Sequence, residues 1–188
     1  MQKIFHEGHE HARLKYNTKA NADYWLEVLD TTKLNSAMIA MINEMSYFFF
    51  ATASSNGQPN LNFKGGEKGI LHVINDKRIV FPDFAGNGIM HSMGDLEANN
   101  KVSLLIADFN HNARIKIAGT ATVIFEDAYV HEYAKFFHHY RFDRLIIIDI
   151  EYVLPNCPKN MYIVRDSIEK FDKTKKDLNI IQKLCGFI

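Results

Sequence analysis

The chain contains the segment Asn62-Phe63-Lys64-Gly65-Gly66-Glu67-Lys68-Gly69 and, further along, Phe84-Ala85-Gly86-Asn87. The first segment predicts a strand that ends in a cation and two glycines. The second predicts a glycine turn that opens a helix. Backbone turns, a lysine and a helix N-terminus are the parts from which phosphate sites are built. The two segments therefore predict an anion site, although Lys64 also fits a solvated lysine at a strand end.

Around these segments the sequence predicts short strands joined by tight turns. The aromatic run Tyr47–Ala53 is typical of a strand that is buried on both faces. The following Asn56-Gly57 supplies the positive φ that a hairpin turn requires, and residues 60–64 return as the second strand. Further strands are predicted over residues 70–74, 78–81, 102–106, 115–123 and 145–153.

Helices are predicted between and after these strands. Asn35 caps an apolar periodic segment that runs to Met45, and residues 89–96 form a short helix. Further helices start at Glu126-Asp127 and at Asp166, where Glu169 completes a capping box. This order favours a closed antiparallel barrel with peripheral helices over parallel βαβ units. We expect one domain over residues 1–188, with an N-terminal arm (1–34) and a C-terminal helix (166–188).

Composition excludes several classes of protein. Lys+Arg and Asp+Glu both number 22 among 188 residues, so the basic excess of a nucleic-acid-binding protein is missing. Cys157 and Cys185 are expected to be reduced thiols, since a chain of this size needs no disulfides. The sequence shows neither a signal peptide nor an apolar run long enough to span a membrane, so we expect a cytoplasmic protein.

Some residues allow two interpretations. His6, His9 and His11 are common metal-ligand types, but their spacing fits no zinc pattern, so no metal is expected. Tyr24 and Trp25 belong either to a core helix or to a flap over a ligand.

Several motifs together resemble a known family. Ala51–Ser54 with Asn56–Pro59 is similar to the opening hairpin of the pyridoxamine 5′-phosphate oxidase-like, FMN-binding split β-barrels. One branch of that family has counterparts of the other motifs, in the same order: Lys64-Gly65-Gly66, Phe81–Asn87, Ser92–Leu96, Asn99–Val102, Arg114–Gly119 and Asn156–Lys159. The resemblance implies a mainly β protein with peripheral helices, a homodimer and FMN held between two subunits.

The resemblance also implies a set of FMN-binding residues. Lys64, next to Gly65 and Gly66, corresponds to the strand cation that holds the phosphate, and Asn87 and Ser92 lie in the turn and helix that complete the phosphate site. Arg114 and Lys116 correspond to a polar strand face beside the flavin, although an ordinary exposed strand face is equally expected. The branch has Arg where this chain has Gly88, which removes a charged phosphate contact and predicts weaker FMN binding.

These features predict an FMN-dependent oxidoreductase that acts on a small molecule, with a nicotinamide nucleotide as a candidate reductant. No residue is identified as a catalytic acid or base. The segment Asn179–Ile188 lacks the basic C-terminal sequence that helps true pyridoxine 5′-phosphate oxidases to hold the substrate phosphate. Pyridoxine 5′-phosphate oxidase activity is therefore not expected. The alternatives are a non-catalytic flavin-binding or storage protein and a barrel that binds haem or another small molecule through its histidines.

Overall fold

The computed structural model describes residues 5–125 and 132–156. In chain order the elements are α1 (Glu7–Lys15), α2 (Lys19–Val28), α3 (Ser36–Glu44), β1 (Tyr47–Ala53), β2 (Pro59–Gly65), β3 (His72–Asn75), β4 (Arg78–Asp83), α4 (His91–Ala98), β5 (Lys101–Asp108), β6 (Ala113–Ile124), a 3-10 turn (Lys135–Phe137) and β7 (Arg144–Asn156). The predicted helix start at Glu126-Asp127, both cysteines and the C-terminal helix (166–188) lie outside the described residues.

Chain contacts divide the protein into two compact units, which are Met1–Ile106 with Ile115–Pro155 and Ala107–Arg114 with Asn156–Ile188. Within the described part, the second unit consists mainly of the turn between β5 and β6. There His111 Nδ1 lies 2.7 Å from Asp108 Oδ2. The expectation that residues 1–188 form one domain stays a prediction.

The seven strands form a single sheet in the order β2-β1-β5-β6-β7-β4-β3. β1 and β2 pair antiparallel along their whole length, and Gly57 has a φ of 84° in the turn between them, as the Asn-Gly pair predicted. β4 pairs antiparallel with β7, and this register places Asp83 opposite Arg144. The sequence therefore brings a carboxylate and a guanidinium together across two strands that are far apart in the chain.

Two predictions about the barrel were wrong in part. Within the described residues no ladder joins β2 to β3, so the sheet is not closed by hydrogen bonds. β1 is also not buried on both faces, because Phe48 and Phe50 are fully buried while Tyr47 and Phe49 are half-buried. The reason is the two-residue period of a strand, which turns alternate aromatic side chains to the outer face of the sheet.

The inner face of the sheet packs against α3 and forms the main core. Asn35 Oδ1 accepts a hydrogen bond from the amide of Met38 at 3.0 Å, so α3 begins at the predicted cap. Ile42 of α3 is fully buried. The Phe81 ring of β4 makes edge-to-face contacts with Phe48 at 5.0 Å and Phe50 at 5.3 Å between ring centroids. These contacts hold the first hairpin and β4 in fixed positions.

Within the N-terminal arm (1–34), the helices α1 and α2 have no buried residues, whereas Thr31 and Leu34 near its end are buried. A core-helix position for Tyr24 and Trp25 is therefore wrong, since both side chains are exposed. His6 Nδ1 accepts a hydrogen bond from the amide of Gly8, and His9 Nδ1 accepts one from the amide of His6. These two imidazoles thus cap α1.

Two further observations concern the described residues alone. They contain no group of three or more His, Cys, Asp or Glu side chains placed to hold a metal ion. None of their helices combines the length and the hydropathy that crossing a membrane requires.

Candidate functional site

A cavity of about 310 Å³ lies between β2 and the segment that joins β4 to α4. Because β2 alternates, Asn60, Asn62 and Lys64 share the half-buried face of the strand, and Leu61 and Phe63 point the other way. Asn62 and Lys64 therefore face the cavity. Its full lining is Asn62, Lys64, Asp83, Phe84, Gly86, Asn87, Gly88, Ile89, Met90, His91, Ser92, Met93 and Arg144.

Three charged side chains form a continuous row at one end of the cavity. Lys64 Nζ lies 2.6 Å from Asp83 Oδ1, and Arg144 Nε donates to Asp83 Oδ2 at 2.7 Å. The side chains of Asp83 and Arg144 are 7% and 9% exposed, and that of Lys64 is 21% exposed. Two cations and one carboxylate leave one positive charge. Because these groups are largely withdrawn from water, that charge is weakly screened.

Ser92 joins the cavity to the first hairpin through hydrogen bonds. Its Oγ accepts a hydrogen bond from Asn62 Nδ2 at 2.7 Å and a second from Asn60 Nδ2 at 3.2 Å. A hydroxyl also has one proton to donate, and neither of these bonds uses it. Ser92 is therefore oriented by two amide donors and can donate its own proton to an acceptor in the cavity.

A buried carboxylate fixes the position of α4 on the hairpin. Asp95 Oδ2 accepts a hydrogen bond from Thr52 Oγ1 at 2.6 Å, and Asn60 Nδ2 lies 3.4 Å from the same oxygen. Asp95 and Thr52 are both buried. Buried polar groups persist when they are hydrogen-bonded, so this cluster ties β1, β2 and α4 into one support for the cavity.

The segment before α4 forms the rim of the cavity. Asn87 Oδ1 accepts a hydrogen bond from the amide of Ile89 at 3.1 Å, and Gly88 and Met90 have positive φ values of 80° and 56°. No side chain caps α4, because its N-cap residue is Met90. The N-terminus of a helix carries a partial positive charge and favours anions. The rim thus brings the start of α4 to the cavity that Lys64 and Arg144 line.

The comparisons with known proteins concern the family and the fold. A model of the family described as Pyridoxamine 5′-phosphate oxidase matches residues 34–154. The chain belongs to the pyridoxamine 5′-phosphate oxidase family. The match runs from just before α3 to Leu154 in β7, so it covers every residue that lines the cavity. A search of the curated proteins gives no match.

Several solved structures share the fold. HupZ from Group A Streptococcus is 21% identical over 65% of this chain and 93% of its own, with a TM-score of 0.53. An FMN-binding protein from Syntrophomonas wolfei is 14% identical over 74% of this chain and 96% of its own, with a TM-score of 0.52. The predicted mainly β fold with peripheral helices, the FMN-binding split β-barrel fold, is confirmed.

The structure brings together only some of the residues that the resemblance implied for an FMN site. Lys64, Asn87 and Ser92 line one cavity, which also includes Gly86 and Gly88. Gly65 and Gly66 follow Lys64 but are not part of the lining. Arg114 and Lys116 lie near the start of β6 and are also outside the lining, and Lys116 is exposed.

Four polar residues of the cavity lining were not among the predicted site residues: Asn62, Asp83, His91 and Arg144. Asp83 lies in the segment Phe81–Asn87, which resembles a family motif. Nothing in the local sequence, however, shows that Asp83 pairs with Lys64. Arg144 lies 61 positions from Asp83 and meets it only through the pairing of β4 with β7. The alternation of β2 was the one available signal, because it places Asn62 on the same face as Lys64.

Proposed function

We propose that this protein binds FMN, with the phosphate in the cavity between β2 and α4, and that it is a flavin-dependent oxidoreductase acting on a small molecule. The observation that carries the proposal is the convergence of Lys64, Arg144, the Ser92 hydroxyl and the uncapped start of α4 on one cavity. Each of these groups favours an anion with several acceptor oxygens.

The size of the cavity supports a phosphate and the chain attached to it. At about 310 Å³ it lies at the low end of the roughly 300–1,000 Å³ typical of ligand sites. The side chains of Asn62 and Ser92 suit hydroxyl groups next to a phosphate, since both carry donors and acceptors. Membership of the family and the fold shared with an FMN-binding protein support FMN as the ligand.

Arginine at position 144 offsets the charge missing at Gly88. The sequence predicted weak FMN binding because Gly88 stands where the family branch has Arg. Arg144 supplies a guanidinium to the same cavity from β7, so the site retains two cations. The proposed roles of Gly65, Gly66, Arg114 and Lys116 toward FMN stay predictions from the family resemblance.

A homodimer is the proposed assembly, and the outer face of β1 and β2 is its proposed contact. Leu61 and Phe63 are 66% and 63% exposed, and the register places Phe63 opposite the half-buried Phe49. A contiguous apolar face of this kind marks an interaction surface. Leu145–Ile148 of β7 are buried within the protomer and contribute no exposed surface to this contact.

The flavin would carry out the electron transfer. The protein would position the flavin and adjust the electronic properties of its ring. A nicotinamide nucleotide is the proposed reductant. No catalytic acid or base is proposed. Reduction of the bound flavin by NADH or NADPH without oxygen, seen as loss of flavin absorbance, would support the oxidoreductase. Binding without reduction by any nucleotide would support the flavin-storage alternative.

The direct test of flavin binding is a titration of the apo-protein with FMN, followed by quenching of flavin fluorescence. Saturable quenching with one FMN per chain is expected, and riboflavin provides the comparison that lacks the phosphate. Absence of saturable quenching at high micromolar FMN would refute the proposal. In that event, a Soret band on titration with haem would support the alternative of a haem-binding barrel.

A further inference from the structure

Asp83 has both carboxylate oxygens engaged by cations that line the cavity. Oδ1 lies 2.6 Å from Lys64 Nζ, and Oδ2 lies 2.7 Å from Arg144 Nε. Both distances are those of charge-assisted hydrogen bonds. Asp83 itself lines the cavity. Its carboxylate therefore already binds the two cations that a phosphate in the cavity would contact.

We propose that the Asp83 carboxylate competes with the flavin phosphate for Lys64. This competition determines how strongly the site prefers phosphorylated over unphosphorylated flavin. The proposal rests on the proposed FMN site. A phosphate that binds Lys64 replaces the Asp83 carboxylate at that lysine. The free energy of the Lys64–Asp83 pair is lost when the phosphate contact forms, so the phosphate adds little net affinity.

The charges in the cavity support this competition. Lys64, Arg144 and Asp83 sum to one positive charge, whereas a phosphate monoester carries close to two negative charges at neutral pH. A dianion next to Lys64 therefore also lies near the Asp83 carboxylate, and like charges in a partly dry site repel strongly. Replacing Asp83 by a neutral residue of the same shape removes both the competitor and this repulsion.

The geometry also identifies which cation changes partner. Asp83 and Arg144 are directly opposite each other in the β4–β7 ladder, and both are buried. Separating them would leave a buried charge unpaired, which is strongly unfavourable. Lys64 reaches Asp83 from β2, has the more exposed side chain and carries its ammonium on a flexible stem. Lys64 is therefore the partner that moves, and Arg144 stays with Asp83.

The test compares Asp83→Asn with Asp143→Asn. Both changes remove one negative charge close to Arg144, since Asp143 Oδ2 lies 3.7 Å from Arg144 Nη2, but Asp143 is not part of the cavity lining. We expect Asp83→Asn to lower the Kd for FMN roughly tenfold, the effect of one charge-assisted hydrogen bond, and to leave the Kd for riboflavin unchanged. Asp143→Asn should leave both values unchanged.

Four outcomes would overturn the inference. Weaker FMN binding by Asp83→Asn would show that Asp83 positions Lys64 for the phosphate instead of competing with it. Equal gains from Asp83→Asn and Asp143→Asn would show an effect of net charge alone. No change in either variant, in a protein that binds FMN, would show that the pair persists in the complex. Absence of flavin binding in every variant would refute the proposed function and the inference with it.

A measurement that leaves Asp83 unchanged covers the case in which Asp83→Asn does not fold. In protein with ¹³C-labelled aspartate carboxylates, the Asp83 signal is the one that moves most in Lys64→Met, because that change removes its lysine partner. Saturating FMN should move the same signal of the wild-type protein toward its position in Lys64→Met. A signal that does not move while FMN saturates the protein would overturn the inference.

Discussion

Gly119 of β6 lies directly against the backbone of Asp149 in β7: a Cβ on Gly119 would be 2.1 Å from the Asp149 carbonyl oxygen. No side chain fits at that distance, and backbone cannot move aside as a flexible side chain can. We expect Gly119→Ala to reduce the free energy of unfolding by about 1–3 kcal/mol, the usual cost of overpacking. Unfolding in urea measures the change.

Gly94→Ala is the matched control for this prediction. Gly94 lies inside α4, and a Cβ there would meet nothing within 4 Å. Alanine should therefore raise the free energy of unfolding by about 0.5–1 kcal/mol, because glycine loses more conformational entropy in a helix. Equal effects of the two substitutions would contradict the close approach of β6 and β7 at Gly119.

Lys64→Ala should weaken the binding of FMN more than that of riboflavin. Lys64 is the more exposed of the two cations at the cavity and is assigned to the phosphate, which riboflavin lacks. Because the lysine exchanges one anion for another, we expect a loss of affinity for FMN at or below the roughly tenfold of one charge-assisted hydrogen bond. Fluorescence titration of both flavins measures it.

Lys68→Ala serves as the control for Lys64→Ala. Lys68 is close in sequence and also forms an ion pair, with Glu44, but its side chain is 71% exposed and it does not line the cavity. Its removal should leave both flavin affinities unchanged. Equal losses for FMN and riboflavin in Lys64→Ala would show that Lys64 acts through the fold and not through the phosphate.

Phe63→Glu should convert the proposed homodimer into monomers. The side chain lies on the exposed outer face of β2, stacked on Tyr47 with 5.6 Å between ring centroids, and a buried charge at an apolar contact is unfavourable. Light scattering at micromolar concentration should give a dimer mass for the wild-type protein and a lower mass for Phe63→Glu.

Tyr16→Glu is the control for the homodimer, since Tyr16 is equally exposed but lies at the end of α1. It should leave the mass unchanged. A monomer mass for the wild-type protein would refute the homodimer directly. A dimer that survives Phe63→Glu would place the contact elsewhere on the surface.

The parts of the fold that the sequence predicted are those with local signals. The Asn35 cap, the Asn-Gly turn and the aromatic run of β1 are each signals within a few residues, and α3, β1 and β2 were predicted nearly to the residue. Lys64 and Ser92 were predicted for the site because each belongs to a local motif. Their presence in one cavity is now a structural observation.

The parts that the sequence could not predict depend on pairing between distant strands. The Asp83–Arg144 contact requires the register of β4 on β7, and no local pattern specifies a register over that distance. The same holds for the bond between Asn62 and Ser92, which requires α4 to pack on β2. The lack of a β2–β3 ladder among the described residues was missed because strand periodicity does not show which strands pair.

The imidazole of His72 predicts part of the pH dependence of stability. It stacks on Phe136 with 3.7 Å between ring centroids, and burial, with a smaller effect of Lys135, lowers the pKa of His72. Below the ordinary histidine pKa of about 6.5, the unfolded chain therefore binds more protons at His72 than the folded protein does. The free energy of unfolding consequently falls as the pH is lowered through this value.

His72→Gln should reduce this dependence. We expect a smaller fall in the free energy of unfolding between about pH 7 and about pH 5 than in the wild-type protein, measured by urea unfolding at each pH. His11→Gln is the control, because His11 is exposed on α1 and should leave the slope unchanged. An unchanged slope in His72→Gln would show that protonation of His72 is not linked to folding.

The protein should not be an efficient pyridoxine 5′-phosphate oxidase, despite its family. That reaction requires the protein to bind the phosphate of the substrate in addition to the phosphate of FMN. The cavity lining offers two cations that share one carboxylate, and this single net positive charge is assigned to the proposed FMN phosphate, so the lining provides no further Lys or Arg for the phosphate of a substrate. A substrate phosphate would lose binding and orientation together, and orientation is worth several kcal/mol of the barrier.

The assay uses FMN-loaded protein with pyridoxamine 5′-phosphate and oxygen, and follows hydrogen peroxide. Turnover should be well below about 1 per second, the low end of usual enzyme rates. Chemical reduction of the bound flavin, followed by reoxidation in air, serves as the control that the cofactor is redox-active. Turnover in the normal range, with loss of activity in Lys64→Ala but not Lys68→Ala, would mean that this one cavity supports both phosphates and that the charge argument is wrong.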